Sequence, residues 1–251
     1  MPKTLVLQSH RQPFPAIWMQ ICINSVTHWA ELNNYDYKFI GDELFDYVSD
    51  AILEKTKTQR VIATDLARLK ALKDYLSENY ETVVWCDADF LVFMPEKFHL
   101  PDKNYAVGRE VWIQSTNDNS KKLTAHMKVH NAFMMFRKDN SFLDFYIDTA
   151  EHLLLSNNGS MPPQFIGPKL LTAIHNVAQC PVLETAGMLS PLVIKDIAKG
   201  GGSALKLFKK KSPQPITAAN LCNSLFERNE YSTDSIESCV TALKEDKYIS
   251  I

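Results

Sequence analysis

The chain has 251 residues, 45% of them hydrophobic and 22% charged, with a formal net charge of -2. This size and balance suit one α/β domain, and the near-neutral charge excludes a general attraction to nucleic acid. Five cysteines without Cys-x-x-Cys spacing exclude a disulfide framework or a zinc site and fit a reducing, cytoplasmic compartment. No apolar stretch approaches the roughly 20 residues that cross a bilayer, and the N-terminus lacks the h-region of a signal peptide.

Residues 4–7 read as a first strand that ends in the polar cluster Gln8-Ser9-His10-Arg11, and open α/β sheets place ligands at such ends. Residues 16–32 show helix-like spacing at Ile17, Ile21, Val26 and Trp29, and residues 37–40 read as the second strand. Strand, helix, strand in that order predicts a βαβ unit and a largely parallel sheet. Residues 60–78 form a long helix with Leu66, Leu69, Leu72 and Leu76 as its core stripe. Asp65 and Arg68 lie three apart on it, and helix geometry alone predicts a solvated ion pair of little energetic value.

That helix leads into the apolar run Val83-Val84-Trp85-Cys86, then Asp87-Ala88-Asp89, then a second apolar run, Phe90-Leu91-Val92-Phe93. In extended backbone, residues two apart project to the same side, so both carboxylates can converge on one ion. Hard oxygen ligands suit Mn²⁺ or Mg²⁺, and a metal at a strand end can hold a diphosphate. A solvated turn is the ordinary alternative for such a triplet. No Gly, Pro, Asn or Ser stands between Val83 and Met94 to mark one.

Further along, residues 105–107 and 129–136 read as strands, with a polar, exposed loop at 115–122 between them. His126 and His130 have helical metal spacing but lead into a strand, which argues against a metal role. Asp139-Asn140-Ser141 offers an N-cap for a helix over 142–155. Gly167-Pro168 opens another helix carrying Leu170, Leu171, Ile174 and Val177, whose first N–H groups can face a phosphate. Lys199-Gly200-Gly201-Gly202-Ser203 predicts a mobile loop, and Lys206, Lys209, Lys210 and Lys211 a flexible basic segment. Such a segment can close over an anionic diphosphate or lie on an acidic lipid surface. From Glu227 the chain is polar, with Ser232-Thr233-Asp234 as a cap for a last short helix. The expected division is a domain over 1–226 and a polar extension over 227–251.

Several of these stretches resemble one family. Ala63-Thr64-Asp65-Leu66-Ala67-Arg68-Leu69 is similar to the S/T-D-x-x-R helix of glycosyltransferases with the DXD sugar-binding motif, the mannosyltransferase and capsular-polysaccharide type. Val84-Trp85-Cys86-Asp87-Ala88-Asp89 resembles that family's strand end. Asn131-Ala132-Phe133-Met134 with Asn140-Ser141-Phe142-Leu143, and Gly167-Pro168-Lys169-Leu170-Leu171-Thr172, resemble two later blocks. The matches cover residues 60–175 in order, with Gln8-Ser9 as a looser fifth. The family's Gly-Gly-h-Tyr before the DXD strand and its C-terminal histidine and tryptophan are absent.

The resemblance implies a GT-A fold, α/β with a Rossmann-like mixed, mostly parallel sheet flanked by helices. It implies transfer of a sugar from a nucleotide-sugar donor to a carbohydrate, lipid-linked or protein acceptor, with retention. Mn²⁺ or Mg²⁺ would bridge the diphosphate to Asp87 and Asp89, with Ala88 between them, and Asn220 or Asn223 would supply the third contact. By the same resemblance Gln8 and Ser9 line the nucleotide, Asp65 and Arg68 hold sugar hydroxyls, and Asn131 or Gln164 lines the reacting carbon. Peripheral membrane contact is compatible with it. The alternatives are a non-catalytic nucleotide-sugar-binding protein and a haloacid-dehalogenase-type phosphotransferase, which also carries D-x-D after a strand.

Overall fold

Leu5, Leu7, Val83 and Trp85 pack on one face of the central sheet and Val6, Val84 and Cys86 on the other, and all seven are buried. Strands buried on both faces read as unbroken apolar runs, which is why the sequence marks them so clearly. In the computed structural model, which describes residues 3–116, 122–228 and 230–245, the chain begins with β1 (Thr4–Ser9), α1 (Ile17–Leu32) and β2 (Asp36–Ile40). There follow α2 (Asp50–Lys55), α3 (Arg60–Glu78), β3 (Thr82–Cys86), β4 (Phe90–Val92), β5 (Tyr105–Ser115) and β6 (Leu123–Arg137). The second half holds α4 (Ser141–Ser156), α5 (Leu170–Ala178), β7 (Val182–Leu183), β8 (Ala186–Met188) and α6 (Pro191–Ala198). It closes with α7 (Ser203–Lys211), β9 (Ala218–Asn220), α8 (Asn223–Phe226) and α9 (Thr233–Lys244).

The main sheet has the order β2-β1-β3-β6-β5-β7, and a small sheet the order β4-β9-β8. β1 is parallel to β2 and to β3, β6 is antiparallel to β3 and to β5, and β7 is parallel to β5. The fold is therefore mixed α/β, parallel on one side and changing direction between β3 and β6. The strand order reverses between β1 and β3, where β1 has a parallel neighbour on each side, and ligands in such sheets gather at the carboxyl ends of strands beside such a reversal. Asp87 and Asp89 follow the carboxyl end of β3, at that place.

α3 packs on one face because Leu66, Leu69, Leu72 and Leu76 are buried against the sheet. Each such side chain contributes about 1.5–3 kcal/mol when fully withdrawn from water. α4 is capped as its sequence predicts, with the Leu143 N–H donating to Asn140 Oδ1 at 3.0 Å. α9 is likewise capped at Ser232, whose side chain accepts from the Ser235 N–H at 3.3 Å.

Several expectations are corrected. The strands read as 105–107 and 129–136 are the inner parts of a long hairpin, β5–β6, while most of the loop expected at 115–122 lies outside the described residues. Val177, placed in an apolar stripe of α5, is 88% exposed. The lysines after Gly202 are not on a flexible segment: Gly200 and Gly201 take φ of 88° and 143° and turn the chain into the regular helix α7. The boundary expected at 226 falls inside a continuous core, because Ile236, Cys239, Val240 and Leu243 of α9 are buried with Trp18 and Cys22 of α1.

Candidate functional site

Asp87 and Asp89 are both partly buried, and they sit in unlike surroundings. Asp87 Oδ1 accepts from Arg68 Nη1 at 2.9 Å and from the indole N–H of Trp85 at 2.7 Å. Its backbone is fixed as well: the Asp87 N–H donates to Ala132 O at 2.8 Å, and Gln8 Nε2 donates to Asp87 O at 3.0 Å. The side chains of Arg68 and Asp65 are each only 6% exposed. Arg68 Nη2 meets Asp65 Oδ1 at 3.0 Å, and its guanidinium lies 5.3 Å from the Trp85 ring centre. The solvated ion pair expected from helix geometry is therefore a buried one. Its partners come from β3 and β6, which spacing along one helix cannot reveal.

Asn131 completes this side. Its Nδ2 donates to Asp65 Oδ1 at 2.9 Å, and its carbonyl accepts from Arg68 Nη1 at 3.1 Å. It reaches there because β6 bulges. Val107 pairs with Met134 and the next residue, Gly108, with His130, so Asn131, Ala132 and Phe133 have no partner on β5. Such bulges re-aim side chains beside functional sites.

His130 holds the bulge. Its Nδ1 accepts from the Ala132 N–H at 3.2 Å, so Nε2 carries the proton and donates to Ala186 O, also at 3.2 Å. Burial pushes its pKa down to about 4, which keeps the ring neutral. Gly108 makes room for it, since a Cβ there would lie 2.1 Å from His130 Cε1. The expectation of no metal role for this histidine leaves its structural role unmarked in the sequence, because the glycine that faces it is identified only by the register of β5 against β6. His126, by contrast, is exposed.

Among the described residues Asp89 is in no ion pair, and Arg68 acts on it only from a longer range than on Asp87 and Asp65. Asn220 Nδ2 donates to its Oδ1 and the Asn223 backbone N–H to its Oδ2, both at 2.6 Å. Burial and the charge of Asp87 push its pKa up to about 6, against the pull of these two donors. Cys222, at φ 56°, turns the chain so that the Asn223 N–H can reach the carboxylate. Asp65 is also raised, by burial first, against the pull of Arg68 and Asn131.

The donor set was tested against a hard divalent cation. Asp65, Asp87 and Asp89 face one Arg68, so two negative charges stand uncompensated when all are ionised. Asn223 Oδ1 is buried with no hydrogen-bond partner, an oxygen with an unused lone pair on a residue already bound to Asp89. Among the described residues no group of three or more His, Cys, Asp or Glu is arranged to hold a metal. The chain thus offers two carboxylates and one amide oxygen, and leaves the other positions to phosphate and water, as Mg²⁺ sites commonly do. That set fits.

Asn220 does not belong to it. Its Nδ2 is given to Asp89 and its Oδ1 accepts from the Cys222 N–H at 2.9 Å, so it positions Asp89 instead of binding metal. Gln8 is fully buried, with its Oε1 accepting from the Tyr37 hydroxyl at 3.0 Å, and it supports the Asp87 backbone instead of lining a nucleotide. Ser9 is partly buried at the same strand end, and Ala88 is buried between the two aspartates. Gln164 is exposed and makes no recorded contact with the carboxylates. The turn expected to face a phosphate packs against Asp65 instead: a Cβ on Gly167 would lie 2.4 Å from Asp65 Oδ2. A separate groove of about 580 Å³, lined by Ser25, His28 and Glu96 among others, shares no residue with the cluster.

No known family profile matches the chain, and no curated protein is similar to it at a significant level. Among solved structures it is similar to a glycosyltransferase involved in glycosylation of the major capsid of PBCV-1. That match has 14% identity and a TM-score of 0.46 over 91% of this chain and 98% of that one. Mouse xyloside xylosyltransferase 1 aligns with 9% identity and a TM-score of 0.40 over 88% and 98% of the two chains. The glycosyltransferase GlyE of Streptococcus pneumoniae aligns with 13% identity and a TM-score of 0.39 over 99% of this chain and 64% of that one. Overlaps this loose say nothing of the reaction, and the chemistry proposed below is taken from the site's own residues. Among the described residues no helix is long and apolar enough to cross a membrane.

Proposed function

We propose that this chain is a metal-dependent glycosyltransferase of the DXD type, moving a sugar from a nucleotide-sugar donor to an acceptor hydroxyl with retention. The observation that supports it most is Asp89: a carboxylate held only by neutral donors, two residues from a second carboxylate and bonded to the backbone of Asn223, whose amide oxygen is buried without a partner, at a parallel strand end. Asp87, Asp89 and Asn223 Oδ1 would hold Mn²⁺ or Mg²⁺. Bound there, the ion supplies charge neutralisation for the departing nucleoside diphosphate.

The remaining residues act by position. Arg68 pairs with Asp87 and Asp65 and leaves Asp89 as the carboxylate without a cation. Asp65, Arg68 and Asn131 act on the donor through Asp87, since their side chains are buried. Ser9 lies at the strand end where the nucleotide would pass, and exposed Gln164 is free to reach the donor sugar. No side chain of the cluster is placed as an obvious proton acceptor for the incoming hydroxyl, which suits a retaining reaction in which a leaving phosphate oxygen takes that proton. The phosphotransferase reading is not favoured, because it needs Asp87 as a free nucleophile and Arg68 already pairs its charge.

Release of nucleoside diphosphate from a panel of nucleotide sugars, with Mn²⁺ and with chelator, tests the reading. The expected result is turnover of one donor, only with metal, and a product whose anomeric proton matches the donor's configuration. Binding of a donor without turnover would return the reading to a non-catalytic sugar-nucleotide-binding protein. A phosphorylated Asp87 would revive the phosphotransferase.

A further inference from the structure

Helix α7 carries charge that the candidate site does not use. Ala204, Leu205 and Phe208 form its buried side, packed with Val111 and Ile113 of β5 and with Leu123 and Ala125 of β6. Lys206, Lys209 and Lys210 stand at i, i+3 and i+4 on the opposite side, with Lys211 beside them, and all four are exposed. Among the described residues none of the four is in an ion pair. Asp196, against the start of this helix, accepts the Leu205 N–H at 3.0 Å. Lys209, Lys210 and Lys211 lie in the last turn, where cations suit the helix dipole; Lys206 lies a turn earlier and gains nothing from it. Lys122, also exposed, adds a positive charge next to the strand on which α7 packs.

We propose that the lysine face of α7 is a docking surface for an anionic lipid bilayer. The whole chain has a net charge of -2 and α7 alone contributes four positive charges, which leaves -6 for everything else. The rest of the chain is thus net negative, so an anionic surface favours approach through the lysine face of α7. The face is a convex helix side held rigidly by its apolar contacts. Its one aromatic, Phe208, is buried, so the face lacks the stacking platform that single-stranded nucleic acid needs.

α7 clamps the outer half of the β5–β6 hairpin, beyond the bulge that delivers Asn131 to Asp65. Docking through α7 would thus hold the hairpin over the bilayer with the helix between them, and a lipid-linked acceptor would reach the site from that surface. Only this last step rests on the glycosyltransferase reading; the docking does not.

The test is co-sedimentation of the full chain with vesicles of phosphatidylcholine alone and with about 30% phosphatidylserine. The probes are the wild type and the variant Lys206→Gln, Lys209→Gln, Lys210→Gln, Lys211→Gln, with circular dichroism checking that the variant is folded. The expected result is binding to the phosphatidylserine vesicles alone, weakening steeply with salt, and about fivefold weaker for each lysine removed. No binding of the wild type at low salt would overturn the proposal, as would equal binding to both vesicle types or full retention by the folded variant. Should the variant not fold, the wild type decides: salt-insensitive binding overturns it. Preference for a single-stranded oligonucleotide over the vesicles would overturn it in favour of nucleic acid. Vesicle binding without any nucleotide-sugar binding would leave docking standing and remove the transferase.

Discussion

Two carboxylates two residues apart are treated differently by the same fold. Asp87 is given a cation, an indole N–H and a fixed backbone, whereas Asp89 is given a side-chain amide and a backbone N–H and no positive charge. The Asp87 side is closed and self-sufficient; the Asp89 side is held in place with its charge unmet. A protein gains no stability from leaving a half-buried carboxylate so, and the position makes sense as one half of a contact with something positive.

The comparison breaks most severely if Arg68 is removed. Arg68→Met leaves Asp65 buried without its cation and frees the Asn131 carbonyl, so urea unfolding is expected to show a loss of about 3–5 kcal/mol. Asp89→Asn, which removes a charge that has no ion-pair partner but turns an amide NH2 toward one of its two donors, is expected to cost only about 1–3 kcal/mol in the same assay. A similar loss in both variants would mean that the two sides do not differ as described.

The next effect is in the response to pH. His130 has its pKa held at about 4, below the ordinary 6.5, so the stability it contributes is complete above 6.5 and is lost as pH falls toward 4. The full shift amounts to about 3 kcal/mol. Asp89 works in the opposite sense. Its pKa of about 6 lies above the ordinary 3.8, so its ionisation costs stability at neutral pH and protonation restores it as pH falls from 6 to 3.8. Thermal melts between pH 7 and 4 should therefore fall more steeply for Asp89→Asn than for the wild type, and less steeply for His130→Gln. Parallel curves for all three would contradict both assignments.

How far the sequence showed this depends on the range of each contact. β1, β3 and α3 were legible because apolar runs and a leucine stripe are local patterns, and so was the position of Asp87 and Asp89 between two of them. Burial of Arg68 was not legible from α3 alone, because its partners Asp87 and Asn131 lie 19 and 63 residues away. The β6 bulge has no signature in one strand, since it exists only as a register against β5. The role of α9 was legible and passed over: Ile236, Cys239, Val240 and Leu243 stand at i, i+3, i+4 and i+7, but the polar residues between them set the impression of an extension.

A smaller effect sharpens the Asp89 side. Asn220→Ala removes the amide that aims Asp89 without touching a metal ligand, and is expected to weaken Mn²⁺ binding by about 10–100-fold with little change in unfolding. Electron paramagnetic resonance of free Mn²⁺ gives that affinity directly, and an unchanged value would return Asn220 to a purely structural role.

On the proposed function, Asp89 would be the carboxylate through which metal and nucleotide sugar are held together. Calorimetric titration of nucleotide sugars into the wild type and Asp89→Asn, each with and without Mn²⁺, tests it most directly. The account predicts binding of one donor by the wild type only in the presence of Mn²⁺, and none by the folded variant. Donor binding that ignores the metal, or that survives in Asp89→Asn, would contradict it.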